Sequence, residues 1–270
     1  MRDRLILLAG WGLGTAPLEP LAAALRGLDP HLHVEIEPLP SLDSSEPADW
    51  LDELDDNLAQ DAWLGGWSLG GMLAAELAAR RGEHCAGLLT LASNLRFVSA
   101  ADWPCAMAAE TFAAFRQGCA QDARATLKRF ALLCVQGASD PRGLSRQLLV
   151  AAPAARPESL LAGLDLLAAL DTRAALQAFV GPQLHLFAGQ DGLVPAEAAK
   201  ALLALLPDVE VGLIDDASHA FALERPHELA AAIQAFLHEA GDDDATPGVR
   251  CARHSRRVYG AHGAPCGVWI

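Results

Sequence analysis

Short apolar runs alternate with amphipathic stretches along most of the chain, and that alternation predicts its architecture. Leu5-Ile-Leu-Leu-Ala9 is an unbroken apolar run that stops at the glycine-rich stretch Gly10-Trp-Gly-Leu-Gly14, the pattern of a buried strand and a tight turn. Residues 17–26 follow as a helix with Pro17 near its start. His33 to Glu37 alternates weakly as a second strand and ends at Pro38 and Pro40. A helix is predicted from Asp49 to Leu58, then a short strand from Ala62 to Leu64. Leu69 to Arg81 is an Ala/Leu-rich helix closed by Gly82, and Ala86 to Ala92 is another strand.

The rhythm then changes. From Phe97 to Leu176 only helical patterns are visible, interrupted at Pro104, Gly118, Pro141, Pro153 and Pro157. Alternation resumes with a strand at Leu184–Ala188, a helix at Ala196–Leu206, a strand at Val209–Ile214 and a helix at Pro226–Glu239. Strands alternating with helices predict an α/β fold with a mostly parallel sheet covered on both faces. The expected organisation is a core formed by residues 1–96 and 177–240, with residues 97–176 inserted as a helical cap. Residues 241–270 are Gly/Arg-rich and aperiodic after Asp242-Asp243-Asp244, and are expected to be a disordered tail.

Composition narrows the class. No stretch reaches the roughly 18 uninterrupted apolar residues of a membrane span. The first apolar run is also shorter than the about 7–15 residues of a signal-peptide core, so a cytoplasmic protein is expected. The six cysteines form no C-x-x-C pair, which gives neither a disulfide framework nor a zinc site, and no metal or cofactor is expected. A formal net charge of −14 argues against nucleic-acid binding. The charge is unevenly placed. Residues 1–95 carry 5 basic and 15 acidic side chains and residues 176–240 carry 2 and 9, whereas residues 96–175 carry 9 and 7. The predicted cap is a cationic island in an acidic protein.

The chemistry centres on Gly66-Trp67-Ser68-Leu69-Gly70, a G-x-S-x-G pentad that follows a predicted strand and opens a predicted helix. That context fits a nucleophile elbow, where the turn is tight enough to need near-absent side chains beside the serine and the helix N-terminus favours developing negative charge. A serine needs a base, and the base needs a carboxylate to fix its tautomer. Asp191 directly follows the 184–188 strand and His219 directly follows the 209–214 strand, in the order serine, acid, histidine that this elbow requires. Asp215 and Asp216 lie too close to His219 along the chain, Asp165 and Asp171 belong to the cap, His185 lies inside a strand, and His227 and His238 lie on the last helix. The oxyanion donors expected are the backbone N–H groups of Leu69 and of Trp11.

Gly10-Trp-Gly-Leu13, Gly66-Trp-Ser-Leu-Gly-Gly71, Asp191-Gly-Leu-Val-Pro195 and Ser218-His-Ala220 together resemble the pimeloyl-carrier-protein methyl ester esterases of biotin synthesis, an α/β-hydrolase family, over residues 5–240. The resemblance implies a serine carboxylesterase that removes the methyl ester from a pimeloyl chain on acyl carrier protein. It implies Ser68, Asp191 and His219 as triad and Trp11 and Leu69 as oxyanion donors. It also implies cap arginines that meet the acidic carrier. Arg142 and Arg146 match one pair, four apart on one helical face. Arg124 and Arg129 stand where the other pair belongs but are five apart, which leaves Lys128 as a substitute for Arg124. Trp11, Trp67 and Phe130 are candidates to contact the acyl chain, with Phe112 and Phe115 beside them. The sequence departs from the family by starting at the first core strand without an N-terminal hairpin, by Ala9 in place of a histidine before Gly10, and by the loop 37–41 lacking a glycine-rich turn. A monomer with no membrane contact is expected. Two other functions stay open: a small-ester or lactone hydrolase with the same triad and no carrier partner, and a catalytically silent α/β-hydrolase-like binding protein.

Overall fold

The computed structural model describes residues 3–244. Six strands form one wholly parallel sheet: β1 (Arg4–Leu8), β2 (His33–Glu37), β3 (Ala62–Trp67), β4 (Cys85–Leu91), β5 (Gln183–Ala188) and β6 (Glu210–Ile214), in the order β2-β1-β3-β4-β5-β6. The central strands are apolar along their whole length because helices cover both faces. Every residue of β3 and of β5 is buried, whereas only Val34 of β2 is. On one face α1 (Glu19–Leu28) packs against α11 (Pro226–Asp244); on the other, α3 (Leu69–Arg81) packs between α2 (Pro47–Asn57) and α8 (Arg173–Ala178). Two further helices, α9 (Glu197–Leu205) and the four-residue α10 (Phe221–Glu224), flank β6 in sequence.

Strand order reverses between β1 and β3, and in such sheets a crevice opens there at the carboxyl ends of the strands. The loops after β1, β3, β5 and β6 all emerge at that end, which brings Trp11, Ser68, Asp191 and His219 to one edge from four separate strands.

Between β4 and β5 the chain forms α4 (Ala109–Gln121), α5 (Ala123–Cys134), α6 (Pro141–Ala151) and α7 (Pro157–Ala169) before returning through α8. The segment contributes isolated bridges but no strand of the sheet. One predicted interruption falls elsewhere. Gly118 lies inside α4, and the break comes at Asp122, whose carboxylate caps α5 by accepting from Ala125 N. Pro141 and Pro157 begin α6 and α7 instead of ending a helix, because a helix's first N–H has no internal partner to lose. α11 also runs past Glu239 to Asp244, so residues 241–244 continue a helix where a tail was expected. Gly241 weakens a helix by about 1 kcal/mol without breaking its hydrogen bonding. The rest of the predicted tail lies outside the described residues.

One polar cluster sits inside the sheet. His185 on β5 pairs through Nδ1 with Thr90 Oγ1 on β4 at 2.8 Å and through Nε2 with Gln183 Oε1 at 3.3 Å. Gln183 Nε2 donates to Leu176 O and Phe179 O, both at 3.0 Å, tying β5 to the end of α8. Complete burial pushes the imidazole pKa down to about 3 from the ordinary 6.5. Below pH 6.5 the unfolded chain takes up a proton that the folded chain refuses until near pH 3. His185 therefore makes stability rise with pH across that window, by up to about 1.4 kcal/mol per pH unit. Urea unfolding at pH 4.5, 5.5 and 6.5 should show this slope in the wild type and a shallower one in His185→Gln; equal slopes would remove His185 as the cause.

Candidate active site

Ser68 stands at the sharp turn between β3 and α3 with φ +56° and ψ −120°, a conformation that costs a non-glycine residue about 1–3 kcal/mol. The turn is held by contacts of backbone on backbone. A Cβ at Gly66 would lie 2.2 Å from Gly70 C, and one at Gly70 would lie 2.3 Å from Ala9 O. Ser68 N donates to Leu91 O at 2.9 Å, and Ser68 O accepts from Ser93 Oγ at 2.7 Å. The strain is thereby over-determined by neighbours on both sides.

The loops that carry Asp191 and His219 are joined to each other. Gly189 N donates to Ile214 O at 2.8 Å and Gln190 N to Ala217 O at 2.9 Å. His219 Nδ1 meets Asp191 Oδ2 at 2.7 Å, with both side chains almost fully buried. The other oxygen, Asp191 Oδ1, accepts from Leu193 N at 2.7 Å and Val194 N at 2.9 Å. These donors keep the carboxylate aimed and leave Oδ2 for the imidazole. The Nδ1 contact turns Nε2 away from the acid, and Nε2 is buried with no hydrogen-bond partner among the described residues. An unpartnered imidazole nitrogen, on a loop that emerges at the same end of the sheet as the strained Ser68 turn, can accept a proton. Leu69 N, the first N–H of α3, has no carbonyl within its own helix to bond, so it is free to point at developing negative charge.

Residues 5–232 match the Alpha/beta hydrolase family. The pimeloyl-[acyl-carrier protein] methyl ester esterase of Aromatoleum aromaticum is 38% identical over 248 residues, covering 86% of this chain and 97% of that protein. The Vibrio cholerae protein of the same name is 34% identical over 226 residues, covering 80% of this chain and 87% of that protein.

The chain belongs to this esterase family of α/β hydrolases.

It also matches the biotin biosynthesis bifunctional protein BioHC of Cellvibrio japonicus at 37% identity over 238 residues; the match covers 87% of this chain but only 47% of that protein, so the chain spans about half its length. The fold is shared with solved structures of a bromoperoxidase from Bacillus anthracis (TM-score 0.76, 19% identity, 88% of this chain and 92% of that one). An esterase from Exiguobacterium antarcticum shares it too (TM-score 0.76, 15% identity, 87% and 92%).

The aromatic candidates of the esterase divide. Trp11 is buried, its indole N–H donates to Leu160 O on α7 at 2.9 Å, and its ring meets Phe130 and Phe115 edge-on at 5.0 and 5.7 Å. These three line a small apolar cavity of about 40 Å³ between the Trp11 loop and Leu193. Trp67 and Phe112 do not line it. Trp67 lies under the site, where its indole N–H donates to His219 O at 2.9 Å, and Phe112 packs on Phe97. Ser93 and Glu224, which support Ser68 O and Ser218 respectively, carry no local sequence signal because their partners are remote or chosen by loop geometry.

The cap cations also divide. Arg116 pairs with Asp165, Arg156 with Asp43, Arg173 with Asp102 and Asp171, and Arg96 with Asp171. Arg124, Lys128, Arg129, Arg142 and Arg146 are exposed and make no ion pair among the described residues. Arg124, Lys128, Arg142 and Arg146 line one groove between α5 and α6; Arg129 does not. The pair facing the groove from α5 is thus Arg124 with Lys128, since residues four apart share a helical face and residues five apart diverge. No helix among the described residues is long and apolar enough to cross a membrane.

Relieving the strain at residue 68 is directly measurable. Ser68→Gly should fold and gain stability, on the order of 1 kcal/mol, because glycine adopts positive φ without a Cβ penalty. Chemical denaturation would report it as a higher midpoint; a lower midpoint would show that the Ser68 side chain contributes more than its backbone conformation costs.

Proposed function

We propose that this protein is a serine carboxylesterase that hydrolyses the methyl ester of a pimeloyl chain carried on acyl carrier protein. The observation that carries the carrier-bound substrate is the groove of four unpaired cations on α5 and α6, set on a protein whose remaining surface is acidic. An acidic carrier is repelled elsewhere and attracted there. The groove's floor includes Leu160, which also accepts the Trp11 indole N–H, so it adjoins the loop that supplies an oxyanion donor. The names of the relatives in Aromatoleum and Vibrio favour the same substrate.

In this mechanism Ser68 Oγ attacks the ester carbonyl while His219 Nε2 takes its proton. Asp191 stabilises the resulting imidazolium and keeps Nδ1 as the protonated nitrogen in the resting state. The tetrahedral oxyanion accepts from Trp11 N and Leu69 N. Collapse breaks the bond to the methoxy oxygen, which leaves as methanol with the proton from His219. A water, deprotonated by the same nitrogen, then attacks the acyl-serine and releases the free carboxylate and Ser68. The acyl chain lies along Trp11, Phe115 and Phe130, whose cavity must widen to admit it.

Two experiments test the two halves of the proposal. Ser68→Ala and His219→Ala should each lower kcat on a p-nitrophenyl ester by at least about a thousandfold in folded protein. Near-normal turnover by folded Ser68→Ala would end its assignment as nucleophile. Reversing Arg142 and Arg146 to Glu should raise KM for the carrier-bound ester by about tenfold or more, while kcat/KM for a free short ester stays within about twofold. Added salt should weaken the wild type on carrier substrate and barely change the double variant. If the double variant handles both substrates like wild type, the protein is a small-ester hydrolase without a carrier partner.

A further inference from the structure

The geometry points to Glu224 as a positioning residue that sets the aim of His219 by clamping the base's loop to the elbow between α5 and α6. This inference rests on the triad proposed above. Glu224 closes α10, and both of its oxygens are engaged. Oε2 accepts from Ser218 N at 3.0 Å and from Ser218 Oγ at 2.8 Å. Oε1 accepts from Ser139 N at 3.1 Å and from Ser139 Oγ at 3.5 Å. Ser218 directly precedes His219, and Ser139 lies in the elbow, residues 135–140. One carboxylate therefore joins the loop of the base to the cap.

The elbow bears on the site at two more points. Ala220 N, just after His219, donates at 3.0 Å to Cys134 O at the end of α5. Gly137 has φ +84° and sits so close to the acid loop that a Cβ there would lie 2.5 Å from Gln190 Cβ and 2.9 Å from Gln190 O. Both backbone neighbours of His219 and the residue before Asp191 thus rest on one short segment of the cap and the last residue of the helix leading into it.

The base needs this support because its reactive nitrogen has none. Among the described residues Nε2 has no hydrogen-bond partner, so the ring is hydrogen-bonded only at Nδ1 and otherwise held by its packing on Trp67, centroids 5.5 Å apart, and by its backbone. A loop free to pivot about the Asp191 contact would swing Nε2 relative to Ser68, and a misplacement of about 1 Å can cost on the order of a hundredfold in rate. A carboxylate suits the position because its two oxygens are acceptor-only, matching two backbone N–H groups and two hydroxyls. A glutamine would turn its own NH₂ toward one of those N–H groups.

The test measures turnover of a p-nitrophenyl ester, the rate at which a fluorophosphonate probe labels Ser68, and Tm, all on the full chain. Glu224→Ala should lower kcat by about tenfold or more, with labelling slowed in step and Tm lowered, because buried Ser218 loses its acceptor. KM for a carrier-bound ester, governed by the cations of α5 and α6, should stay within about twofold. Glu224→Gln should be intermediate in kcat and decides the matter if the alanine variant does not fold. Folded Glu224 variants that turn over and label like wild type overturn the inference while leaving the triad intact. A wild type that neither turns over the ester nor takes the label overturns the triad itself.

Discussion

The arrangement depends on how closely α3 approaches the ends of β1 and β3. At Gly66 and Gly70 there is no room for even one extra carbon, because carbonyl groups of Leu8, Ala9 and Gly70 occupy that space. Only this approach carries the first turn of α3 onto the end of β1 and leaves Ser68 in a left-handed turn above the sheet. The strained φ, the first N–H of the helix left without an intrahelical partner and the proximity of the Trp11 loop are three results of one steric fact. Parallel pairing then brings the other two loops to the same edge, and the hydrogen bonds between them make Asp191 and His219 one unit.

Two tryptophans translate that local geometry into the wider structure. Each buries a large apolar ring and spends its single N–H on a backbone carbonyl of another element, Trp11 on α7 and Trp67 on the loop of His219. Trp11 therefore attaches the cap to the loop after β1, while Trp67 ties the end of β3 to the loop of His219. The cap's charges follow the same division of labour. Arginines facing the core or neighbouring cap helices find aspartates, and those on the outer faces of α5 and α6 do not.

Most of the core was legible in the sequence because most strands are apolar runs or are stopped by proline or glycine. β2 and α3 fall on the residues predicted for them, and other boundaries shift by a few residues. The convergence of Ser68, Asp191 and His219 at one end of the sheet was legible because chain order and strand position are both local facts. What was not legible lies in tertiary contact. Gly118 reads as a breaker but fits inside α4, while Asp122 does the breaking by capping the next helix. Trp67 belongs beside the serine by sequence, yet the turn sends its ring beneath the site and out of the cavity. Which of Lys128 and Arg129 faces the groove depends on the helical phase of α5, and periodicity in a mixed helix leaves that phase open. Ser93 and Glu224 had no signal, since their partners are chosen by the packing of distant loops.

The strand order carries one more implication. Among the described residues the sheet ends at β2 on one side, a strand with an unpaired outer row of backbone donors and acceptors. Such an edge can recruit a strand from another chain and seed aggregation. Here three of its five residues are His33, Glu35 and Glu37, and prolines follow at 38 and 40. A second copy adding its own β2 edge to edge runs antiparallel, and pairing about Glu35 or Ile36 sets Glu35 against Glu35 or Glu37. The acidic surface that repels other acidic proteins thus also protects the sheet from pairing with itself.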